Sequence, residues 1–309
     1  MKFKKPKFWD NPNLTFFAIL LFPISLIYYL ISVIVRLKES KKFSVPVICV
    51  GNIYLGGTGK TPLALEIFSI VKSLGKKPGF IKKYYNYLND EIKMLKKNGD
   101  TFVHKKRDEA MNTLIQNKND LAILDDGFQD QSIKKDFTIV CFNSKQWIGN
   151  GLLIPSGPLR ENLQKIKGVD CIFINGDKDL KIENEIFNKI SKDIRIFYSK
   201  YKILDIERFK NINFIAFAGI GNPSNFFELL NENNINVIKK ISFPDHYYYT
   251  DRKFEQILEM AKKIKANLIT TEKDYERMNN EQRKNCDYLK VKLDIKDKSQ
   301  FINLIKNKI

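Results

Sequence analysis

Gly51-Asn-Ile-Tyr-Leu-Gly-Gly-Thr-Gly-Lys-Thr-Pro62 follows directly on the apolar run Val45-Pro-Val-Ile-Cys-Val50. An apolar strand, a glycine loop and a Lys-Thr pair are the parts of a cradle for a nucleotide's phosphates. The backbone N–H groups of Gly56, Gly57, Thr58 and Gly59 can turn inward on a polyphosphate. Lys60 supplies a point charge, and Thr61 offers a hydroxyl to Mg2+. Over residues 63–74 apolar side chains recur at helical spacing, so a helix N-terminus adds partial positive charge at the loop. The regular pattern G-x-x-x-x-G-K-[ST] would place glycine at position 54. Here Tyr54 stands there, and Gly56 and Gly57 take over the bending. A merely flexible turn would need neither the preceding strand nor the Lys-Thr ending.

Outward from this loop, short apolar runs alternate with amphipathic segments. Strands are expected at 45–50, 78–81, 121–124, 138–142, 171–174 and 195–198, and helices at 62–74, 91–97, 107–116 and 180–191. Alternation of this kind gives an α/β fold, a P-loop NTPase-like parallel sheet with helices on both faces. A second, smaller α/β domain is expected from Tyr201, with strands at 214–217, 237–241, 268–270 and 288–290 and helices at 224–230 and 251–263. The expected division is therefore an N-terminal apolar helix with basic flanks over 1–42, a kinase-type domain over 43–200 and the smaller domain over 201–309. A last helix, 299–308, could pack on either domain.

The 309 residues carry a net charge of +18, but only eight of the 53 basic residues are Arg. Lysines spread through every segment argue against a nucleic-acid groove, where Arg and aromatics cluster. They are compatible with an anionic membrane surface. The four cysteines show no C-x-x-C spacing, and Cys49, Cys141 and Cys171 lie in apolar runs, as inert buried thiols of a reducing cytosol do.

Residues 14–35 form a stretch of 22 without a charge, interrupted by Pro23 and flanked by Lys2, Lys4, Lys5 and Lys7 before and Arg36, Lys38, Lys41 and Lys42 after. It is long enough to span a bilayer. A span would carry one basic cluster outward, against the positive-inside tendency. A helix lying in the cytoplasmic leaflet keeps both clusters at anionic headgroups. A signal peptide would export the phosphate cradle away from ATP, and no small-residue cleavage site follows. A buried hairpin of the core is the remaining alternative.

Leu121-Ala-Ile-Leu-Asp125-Asp126-Gly127 is an apolar strand ending in acids, the form of a Walker B element. Asp126-Gly127 is also a common tight turn, but two adjacent carboxylates at such a strand tip point to holding Mg2+ beside the cradle. Asp90 and Glu91 open a helix, where the dipole alone favours acids. Asp245-His246 precedes three tyrosines and fits a general-base arm or a simple turn. Arg160, beside Glu161 in a Pro- and Gly-rich loop, could grip a phosphate. Thr271-Glu-Lys-Asp274 follows an apolar strand, where ligands gather.

Taken in order, these pieces resemble the tetraacyldisaccharide 4′-kinase family of lipid A assembly. The likeness runs from the apolar N-terminal helix through Gly56-Gly-Thr-Gly-Lys-Thr-Pro62, Asp90-Glu91 and Asp125-Asp126-Gly-Phe-Gln129. It continues through residues 151–161, Phe214-Ile-Ala-Phe-Ala-Gly-Ile-Gly-Asn-Pro223, Phe243-Pro-Asp-His246 and Thr271-Glu-Lys-Asp274. The resemblance implies transfer of the γ-phosphate of ATP to the 4′-hydroxyl of a tetraacyl glucosamine disaccharide 1-phosphate, at the cytoplasmic face of the inner membrane. It implies that residues 56–61 hold ATP, that Thr61, Asp125 and Asp126 organise Mg2+, and that Arg160 steadies the phosphoryl group. Asp90 would take the proton of the sugar hydroxyl with support from His246, each from a different domain. Glu91, Gln129, Glu161 and Asp245 are further candidates. The chain departs from the family's pattern at Lys82-Lys-Tyr-Tyr-Asn86, where Ser-Arg-Gly-Tyr-Gly is usual. Asn89 and Ile92 replace a usual Gly and Pro, and Asp130 stands where His is frequent. The alternative in another class is a P-loop GTPase or metallochaperone-like switch, for which Thr271-Glu-Lys-Asp274 loosely imitates a guanine-selecting run.

Overall fold

A computed structural model describes residues 5–35, 39–85 and 88–309. Lys2, Lys4, Arg36 and Lys38 of the lysine-rich flanks, and Asn86 of the altered arm, lie outside the described residues. The first regular helix, α1 (Phe16–Val35), holds the uncharged stretch and contains Pro23. The alternating part follows as β1 (Val47–Gly51), α2 (Lys60–Ser73), β2 (Pro78–Lys83), α3 (Asn89–Asn98), β3 (Thr101–His104), α4 (Arg107–Gln116) and β4 (Leu121–Asp125). It continues through β5 (Phe137–Asn143), β6 (Cys171–Asn175), α5 (Leu180–Lys189) and β7 (Arg195–Ile203). Then come β8 (Phe214–Ala218), α6 (Pro223–Glu232), β9 (Val237–Ser242), α7 (Asp251–Lys263), β10 (Asn267–Thr271), α8 (Glu272–Glu276), α9 (Asn280–Lys284) and β11 (Asp287–Leu289). The chain closes with β12 (Val291–Ile295) and α10 (Lys298–Lys306).

β1, β4 and β6 are buried at every position, the mark of strands covered on both faces. They belong to an eight-stranded sheet of order β12-β7-β6-β5-β1-β4-β2-β3. β1 lies between β4 and β5, parallel to both, with Val50 opposite Asp125. The glycine loop and the two acids therefore leave neighbouring strands at the same, carboxyl end, where ligands of open parallel sheets bind. The second sheet, β11-β10-β8-β9, is parallel throughout.

The described chain packs into two compact units, residues 5–84, 98–200 and 293–309 in one, and 85–97 with 201–292 in the other. This differs from the linear division at 42 and 200. Residues 85–97 join the second unit because charged side chains of α3 are paired there: Asp90 with Arg277, Glu91 with Lys273, and Lys97 with Glu276. Residues 293–309 return to the first unit, where the Phe301 ring packs on Phe173 and Phe197 with centroids 5.6 and 5.0 Å away, and Lys298 pairs with Glu66 at 2.5 Å.

The short β3 escaped the sequence reading, its four residues being only half-buried and too few to show alternation. The strand expected over 288–290 is two strands, β11 and β12. Lys290 falls between them and gives its carbonyl to Leu204 N at 2.9 Å.

α1 is not a core hairpin. Of its described side chains only Ala18 and Ser25 are buried, while Phe16, Phe17, Leu20, Phe22, Leu26 and Leu30 are among the many exposed. Its polar groups seat it instead. Ser25 Oγ donates to Leu153 O at 2.9 Å and lies 2.9 Å from Ser156 Oγ; Tyr28 OH donates to Arg160 O at 3.0 Å.

Candidate active site

Strand β1 delivers the chain into the glycine loop, and α2 begins at Lys60. Gly56 has φ +146° and Gly59, at the cap of α2, has φ +89°, conformations that side chains with a Cβ resist. Tyr54, where the regular pattern has glycine, is fully buried; its hydroxyl donates to Asp10 Oδ1 at 2.8 Å and accepts from Lys5 Nζ at 2.9 Å. The substitution thus ties the cradle to the N-terminal segment. Asn52, also fully buried, donates from Nδ2 to Thr58 Oγ1 at 3.0 Å and so braces the loop from within.

At the tip of β4, Thr61 Oγ1 donates to Asp125 Oδ2 at 3.1 Å. Lys82 Nζ, at the end of β2, donates to the same oxygen at 2.7 Å. Lys82 is 2 % exposed and Asp125 0 %, so this is a buried ion pair. Asp125 Oδ1 is buried and has no hydrogen-bond partner among the described residues. Asp126 takes φ +59°, outside the strand, and its carboxylate meets Arg160 Nη1 at 3.1 and 3.2 Å and Lys60 Nζ at 3.7 Å. Arg160 Nη1 also reaches Gln129 Oε1 at 3.4 Å, and Gln129 Nε2 donates to Asn52 O at 2.7 Å. Lys60, Thr61, Asp125, Asp126, Gln129 and Arg160 thus form one cluster at the carboxyl end of the sheet. Glu161 is buried beside Arg160 in sequence. Arg160 N donates to Ile53 O at 2.6 Å, which closes the 150s loop onto the segment just after β1.

Among the described residues no group of three or more His, Cys, Asp or Glu could hold a metal ion. Mg2+ takes one or two carboxylates and completes its shell with phosphate oxygens and water. The unpartnered Oδ1 of Asp125, with the Thr61 hydroxyl on its other oxygen, fits such a set.

In the second unit, Asp90 on α3 is 3 % exposed. Its Oδ2 accepts from Arg277 Nη2 at 2.6 Å and Nε at 3.0 Å, and His246 Nδ1 lies 3.6 Å away. Asp90 Oδ1 has no partner among the described residues. Burial opposes the charge on Asp90, but the His246 hydrogen bond and the charges of Lys273, Arg277 and His246 outweigh it and hold its carboxyl well below the usual range. His246 itself is left-handed, φ +54°, with its N–H donating to Gly219 O at 3.0 Å and to Asp245 Oδ1 at 2.9 Å. A non-glycine residue kept in that region is a strained one, and strain of this kind collects at functional positions. Glu91 accepts from Lys273 Nζ at 2.5 Å. Burial disfavours the Lys273 ammonium, yet Glu91, Asp90 and Asp245 push its pKa up to about 12.

Asp90 and His246 thus come together inside one unit, not from two. The sequence reading quoted Lys82 only as a departure and did not reach Arg277. A signal for Arg277 existed: it stands three residues after Asp274, one helical turn on. Asp274, the acid of the guanine-selecting imitation, is fully buried and accepts from Gly219 N, Tyr249 OH, Thr271 Oγ1 and Arg277 Nη1. Its oxygens are committed to the unit's own framework, so the run reads no base.

A family profile described as tetraacyldisaccharide-1-P 4′-kinase matches residues 17–89 and 85–309. The tetraacyldisaccharide 4′-kinase of Pelagibacter ubique is 45% identical over 308 residues, covering 98% of this chain and 97% of the relative. That of Rickettsia typhi is 36% identical over 298 residues, covering 90% and 91%. Among solved structures, LpxK from Aquifex aeolicus in complex with ATP shares the fold, with a TM-score of 0.72 at 24% identity over 94% of this chain and 98% of the other.

Proposed function

Because the chain belongs to the tetraacyldisaccharide-1-P 4′-kinase family, we propose that it transfers the γ-phosphate of ATP to the 4′-hydroxyl of a tetraacyl glucosamine disaccharide 1-phosphate. The observation that carries the reading is Asp90: a buried carboxylate, held ionised, with one oxygen committed to Arg277 and the other unpartnered among the described residues. A nucleotide switch has no use for such an acceptor, whereas a sugar hydroxyl that must attack phosphorus needs one.

In this proposal Lys60, the N–H groups of residues 56–61 and the N-terminus of α2 hold the β- and γ-phosphates, and Arg160 offsets charge on the transferred group. Thr61, Asp125 and Asp126 would hold Mg2+, which when bound neutralises phosphate charge. Asp90 Oδ1 takes the proton of the 4′-hydroxyl as its oxygen bonds to phosphorus and the bond from phosphorus to the ADP oxygen breaks. His246, 3.6 Å from the other oxygen, steadies Asp90 through the step. Asp90 can be a weak base because phosphoryl transfer has a loose transition state, in which positioning and charge neutralisation dominate.

The acceptor's acyl chains would stay in the bilayer, so the enzyme must work at its surface. The exposed apolar side chains of α1 and the lysines around it support a place at the cytoplasmic face of the inner membrane. The distinguishing experiment is Asp90→Ala. Its turnover should fall about 10²–10⁴-fold with ATP affinity nearly unchanged, while Lys60→Ala should impair both. Lost ATP binding with unchanged turnover in Asp90→Ala would overturn the assignment.

A further inference from the structure

The side chain that governs Asp90 is Arg277, in the turn just after α8. It is 8 % exposed, and each part of its guanidinium is engaged. Nε and Nη2 converge on Asp90 Oδ2 at 3.0 and 2.6 Å. Nη1 donates to Asp274 Oδ1 at 2.8 Å and to Gly219 O at 2.6 Å, and Nη2 lies 3.5 Å from His246 Nδ1. The far anchor is rigid. Asp274 sits at the start of α8, its carboxylate taken up by Gly219 N after β8, Tyr249 OH and Thr271 Oγ1 at the end of β10. One planar cation therefore links α3, the tips of β8 and β10, and the loop bearing His246. A lysine, with a single nitrogen, cannot make the same fork.

We propose that Arg277 is the positioning residue of the phosphoryl-transfer site: it commits Asp90 Oδ2 and so fixes Oδ1 as the oxygen that meets the acceptor hydroxyl. This inference rests on the kinase reading above. Two donors on one oxygen fix the plane of the carboxylate as well as its place, which the longer His246 contact does not. An oriented acceptor is what an in-line attack on phosphorus requires, and a shift of about 1 Å at such a group costs on the order of 10²-fold in rate.

Arg277 also bears on when Asp90 accepts a proton. The charged and titratable groups that act on Asp90 are His246 from the loop after β9 and Lys273 and Arg277 from α8 and the turn beyond it, and the carboxylates of Glu91, Asp245 and Asp274 act in turn on those two cations. Removing Arg277 takes away a cation while burial and the surrounding carboxylates remain. The Asp90 carboxyl then rises toward the range where activity is measured.

The test compares Arg277→Met and Arg277→Lys with the full-length enzyme and with Asp90→Ala. Transfer of labelled phosphate from ATP to the acylated disaccharide 1-phosphate is followed in mixed micelles from pH 5 to 9, with ATP affinity and melting measured alongside. For Arg277→Met the expected result is a fall in kcat on the order of 10²-fold, ATP affinity within about twofold, and an acid limb of kcat displaced to higher pH. Arg277→Lys should regain the position of the acid limb but only part of kcat. Wild-type kcat and pH profile in Arg277→Met, with Asp90→Ala inactive, would overturn the inference and leave the kinase reading standing. A loss that follows melting and ATP affinity, with no movement of the acid limb in either variant, would equally overturn it, since that is a purely structural role. Wild-type activity in Asp90→Ala would remove Asp90 as the proton acceptor and the inference with it, whereas no labelled lipid from the parent enzyme would remove the kinase reading on which it rests.

Discussion

Lys82→Met removes the cation from a pair that has almost no access to water. Lys82 is 2 % exposed, Asp125 0 %, and the two meet at 2.7 Å. After the substitution the Asp125 carboxylate keeps one hydrogen bond, from Thr61 Oγ1 at 3.1 Å, while Oδ1 already has none among the described residues. A buried charge left in this state typically costs about 3–5 kcal/mol. At roughly 2–4 °C per kcal/mol for a unit of this size, the melting temperature should fall by about 6–20 °C. Lys82→Met combined with Asp125→Asn removes both charges and keeps the shape, so it should return to within about 1 kcal/mol of the parent. Thermal denaturation without nucleotide, followed by circular dichroism, reads both. A single variant melting within about 2 °C of the parent, or a double variant no more stable than the single, would refute the buried-pair reasoning.

Two further outcomes follow from the same physics. Asp130 is partly buried, which opposes its charge, but bonds from Ser132 and Arg107 hold its pKa down at about 2 against an ordinary 3.8. Because the folded value is the lower one, the contribution is complete above about pH 4 and is lost as pH falls toward 2. It amounts to about 2 kcal/mol, and Asp130→Asn should flatten that part of the stability–pH curve measured by urea denaturation. Deleting residues 14–35 should release the protein from membranes in detergent-free fractionation; a deleted form that still pellets would remove α1 as the anchor.

The cradle was legible because its parts are contiguous: strand, glycines, Lys60 and Thr61 lie within a few residues, and backbone geometry does most of the binding. Asp125 and Asp126 were legible for the same reason, as acids at the end of an apolar run. What these acids touch was not. Lys82 reaches Asp125 across 43 residues of sequence, and Arg277 reaches Asp90 across 187. No periodicity encodes such pairs; they follow from strand order and from which unit α3 joins. The reading placed Asp90 with the first domain because its position in the chain suggested it, whereas three ion pairs to the 273–277 region hold α3 in the second unit. Tyr54 shows the converse case. In sequence it is a departure from the regular glycine pattern, yet it is a fully buried tether to Asp10, a role visible only once the N-terminal segment is in place.

The most direct measurement of the central claim is transfer of labelled γ-phosphate from ATP to a tetraacylated disaccharide 1-phosphate in mixed detergent micelles with Mg2+. The account predicts a new bisphosphorylated lipid, formed by the full-length chain and lost in Asp90→Ala. Intact ATP binding with no labelled lipid would contradict it.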